Sequence, residues 1–90
     1  MMVSMNELAR ARELVDRVLK ELCLETYLFE VEPQDDGWGV TIECAVSDGW
    51  QRCQLTAAKE QLLRAAAEDH AYGMLLDEWR GALSECKRRL

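Results

Sequence analysis

The single histidine is the side chain best suited to transfer protons near neutral pH. His70 follows Glu68 and Asp69, whose carboxylates are near enough in sequence to orient it as a base or as a metal ligand. No serine or cysteine lies close in sequence to act as its nucleophile, and one histidine does not supply a zinc ligand set. We therefore expect no catalytic residue. The alternative is an enzyme or small-ligand protein with its site near His70.

Four cysteines are the other residues capable of redox or metal chemistry. They are separated by 21, 9 and 33 residues, at Cys23, Cys44, Cys53 and Cys86. This spacing lacks the closely spaced pairs that are typical of zinc and redox motifs. We predict reduced, buried thiols that pack as small apolar side chains, and no metal site.

Three aspartates lie where turns are expected. Asp35 and Asp36 could combine with Asp48 to offer hard oxygen ligands to a divalent cation. The stretch lacks the spacing of a calcium-binding loop. We therefore predict no bound metal or other cofactor.

The acidic residues are concentrated in one part of the chain. Between Glu25 and Asp48 there are seven acids and no lysine or arginine, while the whole chain has 17 acids and 11 bases. The remaining residues therefore carry ten acids and eleven bases, a net charge of +1. One explanation is that charge on the strands discourages edge-to-edge aggregation. The other is a surface that attracts a basic protein partner, with Glu30, Glu32 and Glu43 as candidate residues.

The length of 90 residues fits a single domain, residues 1–90. The N-terminus lacks a basic region followed by an apolar run, and no stretch approaches the roughly 20 apolar residues of a membrane span. We expect a small acidic protein in the cytoplasm that does not cross a membrane.

The first element is predicted to be an amphipathic helix. Ser4 and Glu7 have the spacing of a capping box, in which each side chain bonds a backbone N–H of the other. Apolar residues then recur at steps of three and four, at Leu8, Ala11, Val15, Val18 and Leu22. One face of this helix should therefore lie on the core.

Residues 27–55 show the period of two that is typical of strands. The tripeptide Asp-Gly-Trp occurs at 36–38 and again at 48–50, and its Asp and Gly suit turns between strands. A repeat that binds sugars or cations through its tryptophans is the alternative. We predict three antiparallel strands, the first of which ends at Pro33 because proline cannot donate to a strand ladder.

The second predicted strand alternates most clearly. Its core-facing side chains should be those of Trp38, Val40, Ile42, Cys44 and Val46. On the opposite face, Arg52 of the third strand is placed to pair with Glu43. This is the pattern of a sheet that helices cover on one face only.

The C-terminal part is predicted to be helical, because it lacks proline after Thr56, a suitable N-cap residue. A break is expected between Glu68 and Gly73, where Asp69 can cap a new helix or Gly73 can end the previous one. We favour two helices over one long kinked helix.

The sheet is too narrow to cover the last helix as well as the others. Three strands make a sheet about 15 Å wide, and a helix is about 10 Å across, so fewer than two helices fit on one face. We therefore expect an exposed apolar stripe, formed by Tyr72, Leu76, Trp79 and Leu83, to bind a second copy in a homodimer. The alternative is that this helix folds back over the first helix and completes a monomer's core.

These elements predict an α+β fold in which a helix precedes a three-stranded antiparallel sheet and one or two helices follow it. The order resembles the topology of the double-stranded-RNA-binding domain, which implies nucleic-acid binding as an alternative function. That family has a basic cluster where the last helix begins, whereas residues 56–60 here contain one base and one acid. Small acidic secretion chaperones are similar in size and charge. The leading hypothesis is a non-catalytic protein-protein interaction module, such as an adaptor, a chaperone-like protein or a regulatory subunit. It would bind a basic partner on the acidic sheet face or an amphipathic segment in a groove of the C-terminal helices.

Overall fold

The structure, a computed structural model that describes residues 4–89, contains three helices and three strands. In chain order they are α1 (Met5–Glu21), β1 (Thr26–Gln34), β2 (Gly37–Val46), β3 (Gly49–Ala58), α2 (Lys59–Ala67) and α3 (Asp69–Ala82). The strands form one antiparallel sheet in the order β1-β2-β3. The predicted α+β fold and its order of elements are confirmed.

Helix α1 begins at the predicted capping box. The Ser4 hydroxyl accepts from the Glu7 N–H at 3.1 Å, and Glu7 Oε1 accepts from the Ser4 N–H at 3.2 Å. The buried side chains of α1 lie on one stripe, at Ala11, Leu14, Val15, Val18 and Leu19. This stripe packs onto the core, as the periodicity predicts.

The sheet is longer than predicted at two places. Strand β1 continues through Pro33 to Gln34, because β1 is an edge strand and a proline there can turn its nitrogen away from β2. Strand β3 continues to Ala58, so Thr56 is a strand residue, and the predicted Thr56 N-cap is wrong. The N-cap residue of α2 is Ala58, which makes no side-chain capping bond.

The core forms on one face of the sheet, where α1 and α2 pack, and α3 packs on α2. Trp38, Val40, Ile42 and Cys44 of β2 are fully buried there, and Val46 is half-buried, so the predicted alternation of β2 is confirmed. The Trp38 indole Nε1 donates to the Lys59 carbonyl oxygen at 3.0 Å and so ties β2 to the first turn of α2.

The break between α2 and α3 is at Glu68, whose backbone is extended with φ −129° and ψ 127°. The two-helix prediction is therefore confirmed. Gly73 lies inside α3 and does not end a helix. None of the helices in residues 4–89 has the length and hydrophobicity needed to cross a bilayer.

The apolar stripe of α3 is buried within the chain, not exposed. The exposed fractions of Tyr72, Leu76, Trp79 and Leu83 are 7%, 8%, 2% and 2%. The sequence estimate assumed that helices cover only the sheet, whereas α3 packs against α2, and Tyr72 also contacts α1. The expectation of an exposed stripe is wrong. As in the alternative, α3 completes the core of the chain, but it packs mainly on α2 and not over the first helix. A homodimer through this stripe would have to draw those side chains out of the core.

Candidate functional site

The second face of the sheet carries no helix. In an antiparallel ladder, directly paired residues have their side chains on the same face. Glu43 pairs with Leu28 on one side and with Arg52 on the other, and Thr41 likewise pairs with Glu30 and Gln54. We call this surface the uncovered face and define it by Leu28, Glu30, Glu32, Thr41, Glu43, Trp50, Arg52, Gln54 and Thr56.

The uncovered face is negative along β1. At its centre, the Arg52 Nε and Nη2 groups donate to Glu43 Oε2 at 3.1 and 2.8 Å, which confirms the predicted cross-strand pair. Glu30 and Glu32 are exposed, and within residues 4–89 neither forms an ion pair. Three carboxylates and one guanidinium leave this face with a formal charge of −2. The negative charge is therefore concentrated on Glu30 and Glu32.

Large apolar side chains are exposed at one end of the sheet, and two of them, Leu28 and Trp50, belong to the uncovered face. Tyr27, Leu28 and Trp50 are 64%, 44% and 60% exposed. They lie where β1 and β3 begin, and Tyr27 is the extra residue at a β-bulge between Thr26 and Leu28. From the sequence, Trp50 was expected to begin the third strand after a turn, and the strand register now places it on the same face as the acidic residues.

His70 lies in an open groove of about 640 Å³ between α2 and α3. Its polar lining consists of Glu60, Gln61, Arg64, Glu68 and Glu78. No serine, threonine or cysteine lines this groove, so within the described chain His70 has no nucleophile beside it. The groove is open to solvent, and Ala58, Ala71, Met74 and Leu75 make its lining more apolar than polar. The alternative of a site near His70 expects a closed pocket, which this groove is not.

The three aspartates do not converge. Asp35 and Asp36 form the turn between β1 and β2, and Asp48 lies in the turn between β2 and β3. These turns are at opposite ends of β2, a strand of 10 residues that spans about 30 Å. A cation shared by all three carboxylates is therefore excluded by the topology.

The cysteines, in contrast, are brought together. Cys44 and Cys86 form a disulfide with a Cα–Cα distance of 5.6 Å, so the prediction of reduced thiols is wrong for this pair. Cys53 is a half-buried free thiol, and its Sγ lies within 4.8 Å of both disulfide sulfurs. Cys23 is also free, but it is exposed and outside this group. We call Cys44, Cys53 and Cys86 the cysteine cluster.

Backbone contacts hold the C-terminal segment, residues 84–89, against the sheet beside the disulfide. The Lys87 N–H donates to the Ala45 carbonyl at 2.7 Å, and the Glu25 N–H donates to the Lys87 carbonyl at 2.8 Å. Arg88 also forms a single antiparallel bridge with Leu24. The C-terminal segment thus reaches the end of β2, which the sequence pattern did not indicate.

Comparison with family models, with curated proteins and with solved structures finds no match for this chain.

Proposed function

We propose that this protein is a non-catalytic interaction module whose uncovered face binds a basic, extended segment of a protein partner. The observation that carries the proposal is the exposure of Glu30 and Glu32, two carboxylates on one strand without an ion pair in the described chain. Unpaired carboxylates on one surface create a negative potential that favours cationic partners and disfavours phosphate. Nucleic-acid binding is accordingly disfavoured.

The spacing of the two carboxylates favours an extended partner. Glu30 and Glu32 are two residues apart on β1, so they lie on the same face about 7 Å apart. An extended segment places every second side chain on one face with the same repeat. Two lysines or arginines at alternate positions of the partner can therefore each oppose one carboxylate.

The apolar end of the uncovered face offers a second contact for the partner segment. Leu28 precedes Glu30 on the same face of β1, and the indole of Trp50 is exposed beyond the Glu43–Arg52 pair. Aromatic and aliphatic side chains of this kind serve as anchors in protein interfaces, and an indole also attracts arginine. The partner segment should therefore carry two basic residues and an apolar one at successive alternate positions, so that all three face the sheet.

Titration with a synthetic extended peptide tests the proposal; on one face it carries lysine, lysine and leucine at positions i, i+2 and i+4, with glutamine or threonine between them. We expect ¹⁵N chemical-shift changes to be concentrated on β1 and β3, and the affinity to fall as salt is raised from about 0.05 to 0.3 M. In a Glu30→Gln/Glu32→Gln variant the affinity should drop roughly five- to tenfold, because two exposed charge pairs contribute about 0.5–0.7 kcal/mol each.

The matched control is Glu13→Gln/Glu60→Gln, which makes the same change of charge at exposed positions on α1 and α2. This variant should bind like the parent protein, and a peptide with glutamine in place of lysine should not bind. Shift changes confined to the helices, or equal losses in both double variants, would contradict the proposed interface.

A further inference from the structure

The cysteine cluster contains both a disulfide and a free thiol that can attack it. Cys44 and Cys86 supply a disulfide whose two residues are buried, at 0% and 6% exposure. Cys53 supplies a free thiol that is half-buried and hence reachable from solvent. The three sulfurs lie within 4.8 Å of one another, and the other free cysteine, Cys23, is not part of the group.

The sheet itself positions Cys53. Cys53 pairs with Ile42 across the β2–β3 ladder, and Cys44 follows Ile42 by two residues on the same face. Cys44 and Cys53 are therefore diagonal neighbours on adjacent strands, fixed by backbone hydrogen bonds. The Gln51 amide, from the position paired with Cys44, donates to the Cys53 sulfur at 3.7 Å.

We propose that the cysteine cluster is a thiol–disulfide exchange site in which Cys53 is the nucleophile. Cys53 gives its proton to solvent, and its sulfur forms a bond with Sγ of either Cys44 or Cys86 as the existing disulfide breaks. The electron pair of the broken bond leaves on the other sulfur, which takes up a proton from solvent. One disulfide and one thiol are present before and after the step, so no external oxidant or reductant is needed.

The exchange changes what the C-terminal segment is attached to. A new Cys44–Cys53 bond joins β2 to β3 and frees Cys86, which leaves the C-terminal segment held only by its noncovalent contacts. A new Cys53–Cys86 bond keeps the segment attached, through β3 instead of β2. This site is independent of the proposed binding function, since the cysteines lie on the covered face of the sheet.

Disulfide mapping of the full chain tests the proposal. Protein purified without reductant and kept at pH 5 is shifted to pH 8 without oxygen, sampled over time, acidified and alkylated with N-ethylmaleimide. Peptides from a non-reducing digest are then identified by mass spectrometry. We expect peptides joined through Cys53 to appear, with an alkylated Cys44 or Cys86 in equal amount and Cys23 alkylated throughout. The rate should rise between pH 6 and pH 8, because the thiolate is the attacking form.

Two comparisons separate exchange in the cluster from random scrambling. In 8 M urea, Cys23 should join the disulfides as well, because unfolding removes the geometry that excludes it. In Cys53→Ser, which is close in size, Cys44 and Cys86 should remain joined to each other and unavailable to the alkylating agent. The proposal is overturned if Cys53 stays alkylated at every time at pH 8, or if Cys23 exchanges as readily as Cys53 in the folded protein.

Discussion

The phenol of Tyr72 lies between two charged side chains of α1. Its hydroxyl donates to Glu21 Oε1 at 3.2 Å, and the Arg17 guanidinium carbon lies 3.9 Å from the ring centroid. Burial of the phenol and, after it, the hydrogen bond to the Glu21 carboxylate raise the pKa of Tyr72, while the charge of Arg17 opposes this to a smaller extent. The contact joins α3 to α1, two elements that are far apart in sequence.

Replacing Tyr72 with phenylalanine should remove this hydrogen bond and lower the free energy of unfolding by about 1 kcal/mol at pH 8. A raised pKa in the folded state means that the unfolded chain loses its proton first as pH rises past about 10. The contribution of Tyr72 is thus fully present below the pKa of the unfolded state and is lost as pH rises through that of the folded state. Urea unfolding at pH 8 and above pH 10 should show the difference between wild type and Tyr72→Phe shrink.

The matched control for this substitution is Tyr27→Phe, at the exposed bulge of β1. Its effect on the free energy of unfolding at pH 8 should stay within about 0.5 kcal/mol, as is usual for exposed positions. If Tyr72→Phe is as stable as Tyr27→Phe at pH 8, the bond to Glu21 contributes nothing to the fold.

Of the cysteine cluster, the sequence allows the positions of Cys44 and Cys53 to be predicted, but not that of Cys86. The two-residue turn at Ser47 and Asp48 sets the register of β2 and β3, which is enough to place Cys44 and Cys53 on one face. The position of Cys86 depends on the C-terminal segment returning across the sheet, and no local pattern encodes that return. Spacing along the chain therefore suggested unrelated thiols, although three of the four sulfurs meet in space.

Replacing glycine with alanine should have different effects in strand β2 and in helix α3. A side chain at Gly37, where β2 begins, would overlap the Ala57 carbonyl oxygen and come within 3.0 Å of the Ala58 Cα and the Lys59 nitrogen. All of these are backbone atoms at the junction of β3 and α2, so they cannot rotate away. At Gly73, inside α3, an added methyl group meets nothing within 4 Å.

We therefore expect Gly37→Ala and Gly73→Ala to have opposite effects on stability. Gly37→Ala should lower the free energy of unfolding by about 1–3 kcal/mol, because it forces β2 away from the β3–α2 junction. Gly73→Ala should raise it by about 0.5–1 kcal/mol, because alanine has the higher helix propensity. Urea denaturation at pH 7 measures both, and a destabilised Gly73→Ala or a neutral Gly37→Ala would contradict the packing described for that element.

At the scale of elements, local patterns predicted most of the fold. The capping box at Ser4, the alternation of β2 and the break near Glu68 each depend on residues close together in sequence, and all are confirmed. The end of β3 was predicted wrongly, because a threonine suits a strand and an N-cap equally well. Thr56 is a strand residue because it pairs with Gly39 across the ladder, and that pairing is a tertiary contact.

For the molecule as a whole, the position of α3 could not be derived from sequence. Its apolar stripe was correctly identified, but a stripe does not reveal whether the surface that covers it belongs to the same chain. In the structure, its side chains lie in one cluster of buried residues together with those of α1, α2 and the sheet, among them Leu14, Val18 and Leu62. Of the candidate residues, those on α3 are therefore part of the core, and the acidic residues of the uncovered face remain, outside the core as predicted.

Substituting Trp79 with aspartate decides between a core and an interface role for α3. Trp79 is 2% exposed, and loss of a buried indole alone costs about 3–5 kcal/mol, to which the unpaired buried carboxylate adds. The total free energy of unfolding of a small domain is little larger than this loss. We expect Trp79→Asp to abolish the cooperative urea transition and the near-ultraviolet circular dichroism of the tryptophans.

The control for Trp79→Asp is Met74→Asp, which introduces the same charge on the same helix at a position that is 62% exposed. It should unfold cooperatively, within about 0.5 kcal/mol of the parent protein, because an exposed side chain on a helix contributes little to packing. A stripe that served mainly to join two copies would behave differently: Trp79→Asp would then remain folded, and light scattering would show its mass fall from that of a dimer to 10.3 kDa. Unfolding of Trp79→Asp together with a folded Met74→Asp assigns the stripe to the core of the single chain.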